Sequence, residues 1–520
     1  MDKSLPWSAD LGNGKYKNPI LYADYSDPDV VRVKDDYFLV ASSFNMSPGL
    51  PILHSKDLVN WRIINHVTDT FPDVSYDRVR HGDGLWAPSI RYHDGWFWVF
   101  VGCPDEGIFM SKTRDPFSDW STLHLVKKAS GWIDPCPFWD DDGKAYLVHA
   151  FARSRIGFKH LLQLCEMSRD GQHLLSDGVI IFNGEQDHPT IEGPKVYKRN
   201  GYYYIFAPAG GVEHGWQTIL RSKNIKGPFE DKKVLHQGLT KTNGPHQGGW
   251  VDTESGQDWF IHFQDKAAYG RITHLQPMKW GDDEWPKIGE QIDESGIGIP
   301  VDEWEKPNTG KYYQIEAPQM SDQFTGNKLG LQWQWRANQK KEWYQLNEGY
   351  LTLFAKEQPL GIHTLYDTPQ ILTQKVPAPS CTVSLKVDFQ PEKIGDTFAF
   401  VLLGYTYHSL IVVKEEYSTS LYYVRGDSKE KVKKENREKI AEVDDTSELH
   451  FKLLIQNEAT CQFYFSEGNH NGFKPIGDVF VAEEGHWIGS QIGISCFHEK
   501  EVQGEGGRAN ISQFSIESLE

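Results

Sequence analysis

The sequence predicts an all-β protein: a five-bladed β-propeller over residues 1–300, followed by a β-sandwich over residues 301–520. Three observations carry that expectation. First, a short polar or aromatic signature opens five stretches: Ser26-Asp27-Pro28-Asp29-Val30, Leu85-Trp86-Ala87-Pro88-Ser89, Ile133-Asp134-Pro135-Cys136-Pro137, Ile191-Glu192-Gly193-Pro194-Lys195 and Pro245-His246-Gln247-Gly248-Gly249. Positions 27, 86, 134, 192 and 246 lie 59, 48, 58 and 54 residues apart, the spacing of four-stranded blades with their loops. Second, an aromatic and β-branched run follows each opening. Third, the last 200 or so residues alternate inward and outward side chains in short runs.

Within each module the order of elements is legible. The runs Tyr37–Ala41, Trp96–Phe100, Ala145–His149, Tyr202–Phe206 and Trp259–Phe263 read as second strands, and turns such as Lys34-Asp35-Asp36 and Asp142-Gly143 introduce them. A third signature marks the outer edge: Ser55-Lys56-Asp57, Ser111-Lys112-Thr113-Arg114-Asp115 and Ser222-Lys223-Asn224. No long window keeps a 3.6-residue apolar period, so helices should be short and few. From Gly289 to Asn308 the chain is rich in Gly, Pro and acidic residues, a linker composition. Beyond it, Leu331–Trp335, Thr382–Val387, Phe398–Leu403, Leu421–Val424 and Phe451–Ile455 read as strands of two packed sheets. If each opening starts an innermost strand, residues 27, 86, 134, 192 and 246 all face one central channel, and three of them are carboxylates.

Composition narrows the partners. A net charge of −18, with no block of basic residues, argues against nucleic acid or an anionic membrane and for a neutral substrate. The one basic cluster, Lys429 to Lys439, is interrupted by Glu430, Glu435 and Glu438 and reads as a solvated loop. No run of 18 apolar residues is present, so no membrane insertion is expected. Aromatic residues make up 13% of the chain, with 18 Trp, which suits both blade cores and sugar-stacking surfaces. Six cysteines show no metal spacing; most read as free buried thiols, with a Cys461–Cys496 bridge as the alternative. Met1 to Trp7 lacks the apolar core of a signal peptide, so the protein is either cytoplasmic or periplasmic/secreted after removal of a leader. Oligomeric state leaves no mark in the sequence.

At Asp27, Asp134 and Glu192, the Asp-Pro, Ile-Asp-Pro and Glu-Gly-Pro openings, in this order and spacing, resemble glycoside hydrolase family 43 over residues 18–285. The region behind them is similar to the jelly-roll, concanavalin-like domain of that family's β-xylosidases and arabinofuranosidases. The resemblance implies inversion at the anomeric carbon, with Asp27 as general base, Asp134 as the group that modulates pKa, and Glu192 as general acid. It also implies an active-site arginine, Arg271. No cofactor is required; a structural calcium near His246 is the one metal the family suggests, though a single histidine is a poor ligand for an ion that wants six to eight oxygens. Chemistry gives the carboxylates an independent reason. Inverting hydrolysis needs one acid and one base across the sugar, ~6.5–9.5 Å apart, and a neighbouring negative charge keeps the acid protonated.

Other candidates remain open at this point. Trp86 either forms a sugar-stacking wall or plugs the channel. Arg271 either pairs with Glu192, binds sugar hydroxyls, or makes a surface ion pair. His246 either sits by a central water or calcium, or is structural. Phe44 and Met46 are further substrate-binding candidates, and Met46 stands where many β-xylosidases carry a tryptophan, which favours arabinofuranose over xylose. The expected activity is exo-hydrolysis of terminal α-L-arabinofuranose and/or β-D-xylose from hemicellulose oligosaccharides. A retaining fructan hydrolase, suggested by Arg114-Asp115-Pro116, and a catalytically silent carbohydrate-binding protein are the alternatives. The glycine-rich stretch Cys496–Arg508 is expected to reach the rim of the propeller pocket, with Phe497 as its contact.

Overall fold

The computed structural model describes residues 5–429, 434–444, 448–468, 472–498 and 506–519. Five sheets follow one another along the chain, each built on four antiparallel strands in sequential order; the fourth is widened to six by Gly298–Ile299, which runs parallel to its outer strand, and Glu290–Gln291. The first blade comprises Asp29–Val33, Asp36–Val40, Gly49–Ser55 and Trp61–Thr68. Innermost strands of the other four are Trp86–His93, Trp132–Trp139, Lys195–Arg199 and His246–Asp252. The aromatic runs are the second strands, as their composition predicts.

The recurrent outer signature forms the turn between third and fourth strands, and its polar side chains explain why. Asp57 accepts from Val59 N at 3.0 Å and Asn60 N at 2.8 Å, Asp115 from Phe117 N at 3.0 Å, and Asn224 from Lys226 N at 2.9 Å. Each side chain stands in for a backbone partner that the chain reversal removes. Asp115 is therefore a turn-former on the outer edge, not a member of a catalytic motif.

Apolar faces of adjacent blades pack against each other. Phe38, Val40 and Ile52 meet Ile90, Phe97 and Val99 between the first two blades, and Val30, Leu39 and Leu53 meet Val251, Ile261 and Leu275 where the ring closes. Closure is made by the N-terminal segment. Leu21 bridges Thr273 of strand Arg271–Trp280, while Asn18 donates to Leu275 O and accepts from Leu275 N, both at 2.8 Å. Strand Glu303–Glu305 pairs with Lys15–Lys17, so the chain stays on the propeller just past residue 300 before crossing to the sandwich.

Several histidines are buried, His66 at the junction with the sandwich and the others within blades, and burial holds them neutral: His66 is pushed down to about 3, His149 and His262 to about 4, and His274 lower than its ordinary value. Below about pH 6.5 the unfolded chain protonates these groups and the folded chain does not, so acid draws the equilibrium towards unfolding. Stability is expected to fall between pH 7.5 and pH 5, by up to ~1.4 kcal/mol per pH unit for each histidine. This window lies above the ordinary carboxylate range; a buried carboxyl raised out of that range, such as Asp134, works in the opposite sense and offsets about one of the four histidines, and urea midpoints at the two pH values measure the net fall. Equal or higher stability at pH 5 would contradict the assignment.

The C-terminal domain stacks an eight-stranded sheet on a seven-stranded one. Its core holds Phe398, Phe400, Phe451 and Phe463. All six cysteines are free and buried, as their spacing suggests; the alternative Cys461–Cys496 bridge is not formed, its members sitting on strands of different sheets, Thr460–Glu467 and Gln491–His498. The expectation for Phe497 fails. Phe497 is only 2% exposed and packs with Leu365, Ile371 and Tyr407 on the face of its sheet opposite Cys496, so it is spent on the sandwich's own packing and does not line the pocket. Residues 499–505 of that stretch lie outside the described residues.

The domains are joined by backbone and buried polar contacts. Ser47 and Trp335 exchange N–H···O bonds at 2.8 and 2.6 Å, and Asn45 Nδ2 donates to Arg336 O at 2.8 Å. Asp24, 4% exposed, spans the junction with one carboxylate: Oδ1 accepts from Arg271 N at 2.9 Å and Oδ2 from Gly489 N of the sandwich at 3.0 Å. Gly489 has to be glycine, because a Cβ there would lie 2.6 Å from Gly270 N.

Candidate active site

The five openings share one local geometry. Asp27, Ala87, Asp134, Gly193 and Gln247 all adopt positive φ, at 52°, 39°, 57°, 56° and 44°. The ladder is also irregular after Ile133, Trp86 and His246. Each innermost strand thus begins with a strained kink that turns side chains into the channel. Structural equivalence runs 27, 87, 134, 193, 247, one residue past the sequence phasing in three blades. The shift matters for Glu192. It precedes the kink instead of occupying it, and its side chain is 23% exposed where that of Asp27 is 7%. Gly193 is required at the kink itself, since a Cβ would lie 2.2 Å from Gln247 Oε1.

Asp27 is held by three donors: Ser26 Oγ at 2.8 Å and Ser42 Oγ at 2.6 Å to Oδ2, and Arg271 Nη1 at 3.4 Å to Oδ1. Ser42 Oγ in turn accepts from Ala87 N at 2.7 Å, tying the first carboxylate to the second blade. Asp134 Oδ2 accepts from Gly193 N at 2.8 Å and Gln247 Nε2 at 3.2 Å. Burial, reinforced by the charge of Glu192 and then of Asp27, pushes the Asp134 carboxyl well above the usual carboxylate range. His246, wholly buried, reaches Glu192 Oε1 with Nε2 at 2.8 Å. Arg271 pairs with Asp27, not with Glu192.

Asp27, Asp134, Glu192, Phe44, Trp86, His246 and Arg271 line one cavity of about 300 Å³. That is the low end of small-molecule pockets. Met46 does not join them: it is 2% exposed beneath the surface, where Asn45 contacts its sulfur at 3.9 Å. Its identity therefore says nothing about which pentose is preferred. Trp86 lines the cavity, its indole donating to Gly82 O at 2.8 Å. Among the described residues no group of three or more His, Cys, Asp or Glu side chains is placed to hold a metal, and the nitrogen His246 offers does not fit calcium's demand for oxygen.

Sequence reasoning missed several lining residues, Arg153 and Lys159 among them, and one from the other domain, Trp487. It comes from the sandwich, is 45% exposed, and stands edge-on to Trp86 with ring centroids 6.5 Å apart. The Arg271 guanidinium lies 5.5 Å from its ring and 5.9 Å from Phe44. A sandwich loop does reach the pocket, but it is Gly485-His486-Trp487-Ile488-Gly489. The available signal was an aromatic pair bracketed by glycines outside any alternating run, and Trp487 has φ of 64°.

Residues 16–286 match the family described as Glycosyl hydrolases family 43, and residues 321–517 its β-xylosidase C-terminal concanavalin A-like domain. The chain belongs to glycoside hydrolase family 43. A putative β-xylosidase of Xylanibacter ruminicola is 39% identical over 93% of this chain and 86% of its own length. A non-reducing end α-L-arabinofuranosidase of Bacteroides ovatus is 28% identical over 82% of this chain and 81% of its own. Among solved structures, a xylan β-1,4-xylosidase of Bacillus halodurans superposes with a TM-score of 0.82 at 25% identity, covering 96% of this chain and all of that one. This family 43 glycosidase is thus similar along both domains to enzymes named for either pentose.

Proposed function

We propose that this enzyme removes single α-L-arabinofuranose and/or β-D-xylose units from the non-reducing ends of hemicellulose oligosaccharides, with inversion. One observation carries the reading. Asp27 on the first blade and Glu192 on the fourth line the same small cavity, with the fifth blade between them on the shorter way round the ring. Such a gap suits a water on one face of the sugar and the leaving oxygen on the other. Asp27, acceptor-only and fixed by Ser26, Ser42 and Arg271, takes the proton of the attacking water. Glu192, oriented by His246 and the more solvent-accessible of the two, gives a proton to the departing oxygen. Asp134 touches neither reacting atom; its charge opposes that of Glu192, and because the repulsion is mutual the two carboxylates hold on to a proton as a pair. Trp86, Trp487 and Phe44 bound the sugar, and a pocket this small favours a chain end over an internal unit.

The test is a hydrolysis panel of aryl α-L-arabinofuranoside, β-D-xyloside and β-D-fructofuranoside, with proton NMR following the first minutes. Turnover of one or both pentosides is expected, the first sugar appearing with inverted anomeric configuration. Activity on the fructoside alone would overturn the substrate class, and retention would overturn the two-carboxylate mechanism.

A further inference from the structure

One buried ionisable group is left unused by that mechanism. Lys195 opens the innermost strand of the fourth blade three residues after Glu192, and it is wholly buried. Its Nζ donates to Pro88 O at 3.2 Å and Ser89 Oγ at 3.0 Å, both on the innermost strand of the second blade. The second and fourth blades are not neighbours, so this side chain crosses the channel beneath the cavity floor. Both partners are neutral, and no ion pair involving Lys195 is formed among the described residues. Fully buried lysines are rare unless paired, because an isolated charge in a dry interior costs several kcal/mol. What stands in place of a partner is the group of carboxylates above it.

We infer that Lys195 is a positioning residue for charge: its ammonium, held under the floor by Pro88 and Ser89, sets the pH at which the Asp134–Glu192 pair gives up its proton. The inference rests on Glu192 being the proton donor. Other charged groups facing this part of the channel are accounted for differently. Asp29, on the first blade, is paired through Oδ2 with Arg91 of the second at 2.6 Å, its buried Oδ1 making no hydrogen bond among the described residues, and the Arg91 guanidinium also reaches Cys136 Sγ of the third at 3.1 Å and lies 5.1 Å from the Tyr197 ring of the fourth. Arg271 is spent on Asp27, and His246 of the fifth blade on Glu192. Two further cations line the cavity itself, Arg153, which is exposed, and Lys159, which donates to Thr190 Oγ1 at 2.8 Å; the fully buried cation beneath is Lys195, and its charge favours ionised Asp134, against the burial and repulsion that oppose it. Without it, the pair would keep its proton to higher pH.

The experiment is the pH profile of kcat on a natural pentoside turned over by the wild-type enzyme, for the wild type, Lys195→Met and Lys195→Arg. The alkaline limb reports loss of the acid's proton. In Lys195→Met it is expected to move up by about one pH unit, the scale of one charge ~10 Å away at an effective dielectric of ~20. In Lys195→Arg, which keeps the charge, it should stay in place even where kcat falls. An unmoved limb in the methionine variant, or an equal shift in both, overturns the inference, since a packing role lowers rate or stability without moving a limb. Lys195→Gln, retaining a donor for Pro88 O and Ser89 Oγ, carries the same test if methionine prevents folding. The underlying assignment fails separately, by wild-type turnover of the same pentoside in Glu192→Ala.

Discussion

Glu192→Ala is expected to lose ~10²–10⁴-fold in kcat on natural oligosaccharides, the usual contribution of a positioned general acid, and at least about tenfold less on aryl pentosides with an activated phenol. An alkoxide is a poor leaving group and needs the proton, whereas a nitrophenolate is already a weak base. Asp27→Ala should lose comparably on both substrate types, because water must be activated whatever departs. The asymmetry separates the two carboxylates better than either loss alone. His246 supports it, since its hydrogen bond at 2.8 Å holds Glu192 towards the cavity without closing it off from solvent. Equal losses on both substrate classes in Glu192→Ala would remove its assignment as acid.

The second large effect is expected at Trp487. Replacing it by alanine should raise KM for short pentosides about tenfold, equivalent to ~1.4 kcal/mol, with a smaller change in kcat. The indole closes one side of the cavity against Trp86 and lies over the Arg271 guanidinium, and its only polar atom can donate but not take or give the reaction's proton. Its loss therefore takes away ground-state contact area more than transition-state chemistry. The thermal midpoint should barely move, as the side chain is 45% exposed. KM values for arabinofuranosides and xylosides measured side by side give the readout, and an unchanged KM for both would reduce Trp487 to a surface residue of the junction.

The propeller was legible because its signals are local. A turn-forming Asp or Asn and a run of aromatic residues each declare themselves within a few positions, and repetition at blade spacing adds what any single instance lacks. The three carboxylates were legible for the same reason. What the sequence could not disclose was geometry set by distant packing. Met46 falls in the segment that approaches the pocket, but that segment is a turn, with Phe44 at φ 50° and Met46 N donating to Ser43 O at 2.9 Å, and only the fold decides that Phe44 lines the cavity while Met46 is covered. Phe497 misled through strand alternation, being one residue from Cys496 and on the opposite face. Trp487 and Asp24 were missed because their meaning lies in a partner about 400 residues or more away, across a domain boundary that carries no local signature.

The Asp24 carboxylate has a thermodynamic consequence. It binds the backbone of Arg271 and of Gly489 at once, so the arginine that steadies Asp27 and the loop that carries Trp487 share one buried anchor. If the proposed pocket holds the sugar between Trp86, Trp487 and Arg271, the sugar touches parts of both domains, and its binding free energy is linked to their association. A tightly held product or inhibitor should raise the force or denaturant needed to part the domains. Conversely, exchanging this sandwich for that of a relative would alter sugar affinity even with every propeller residue retained, so the two domains are one unit of inheritance for specificity.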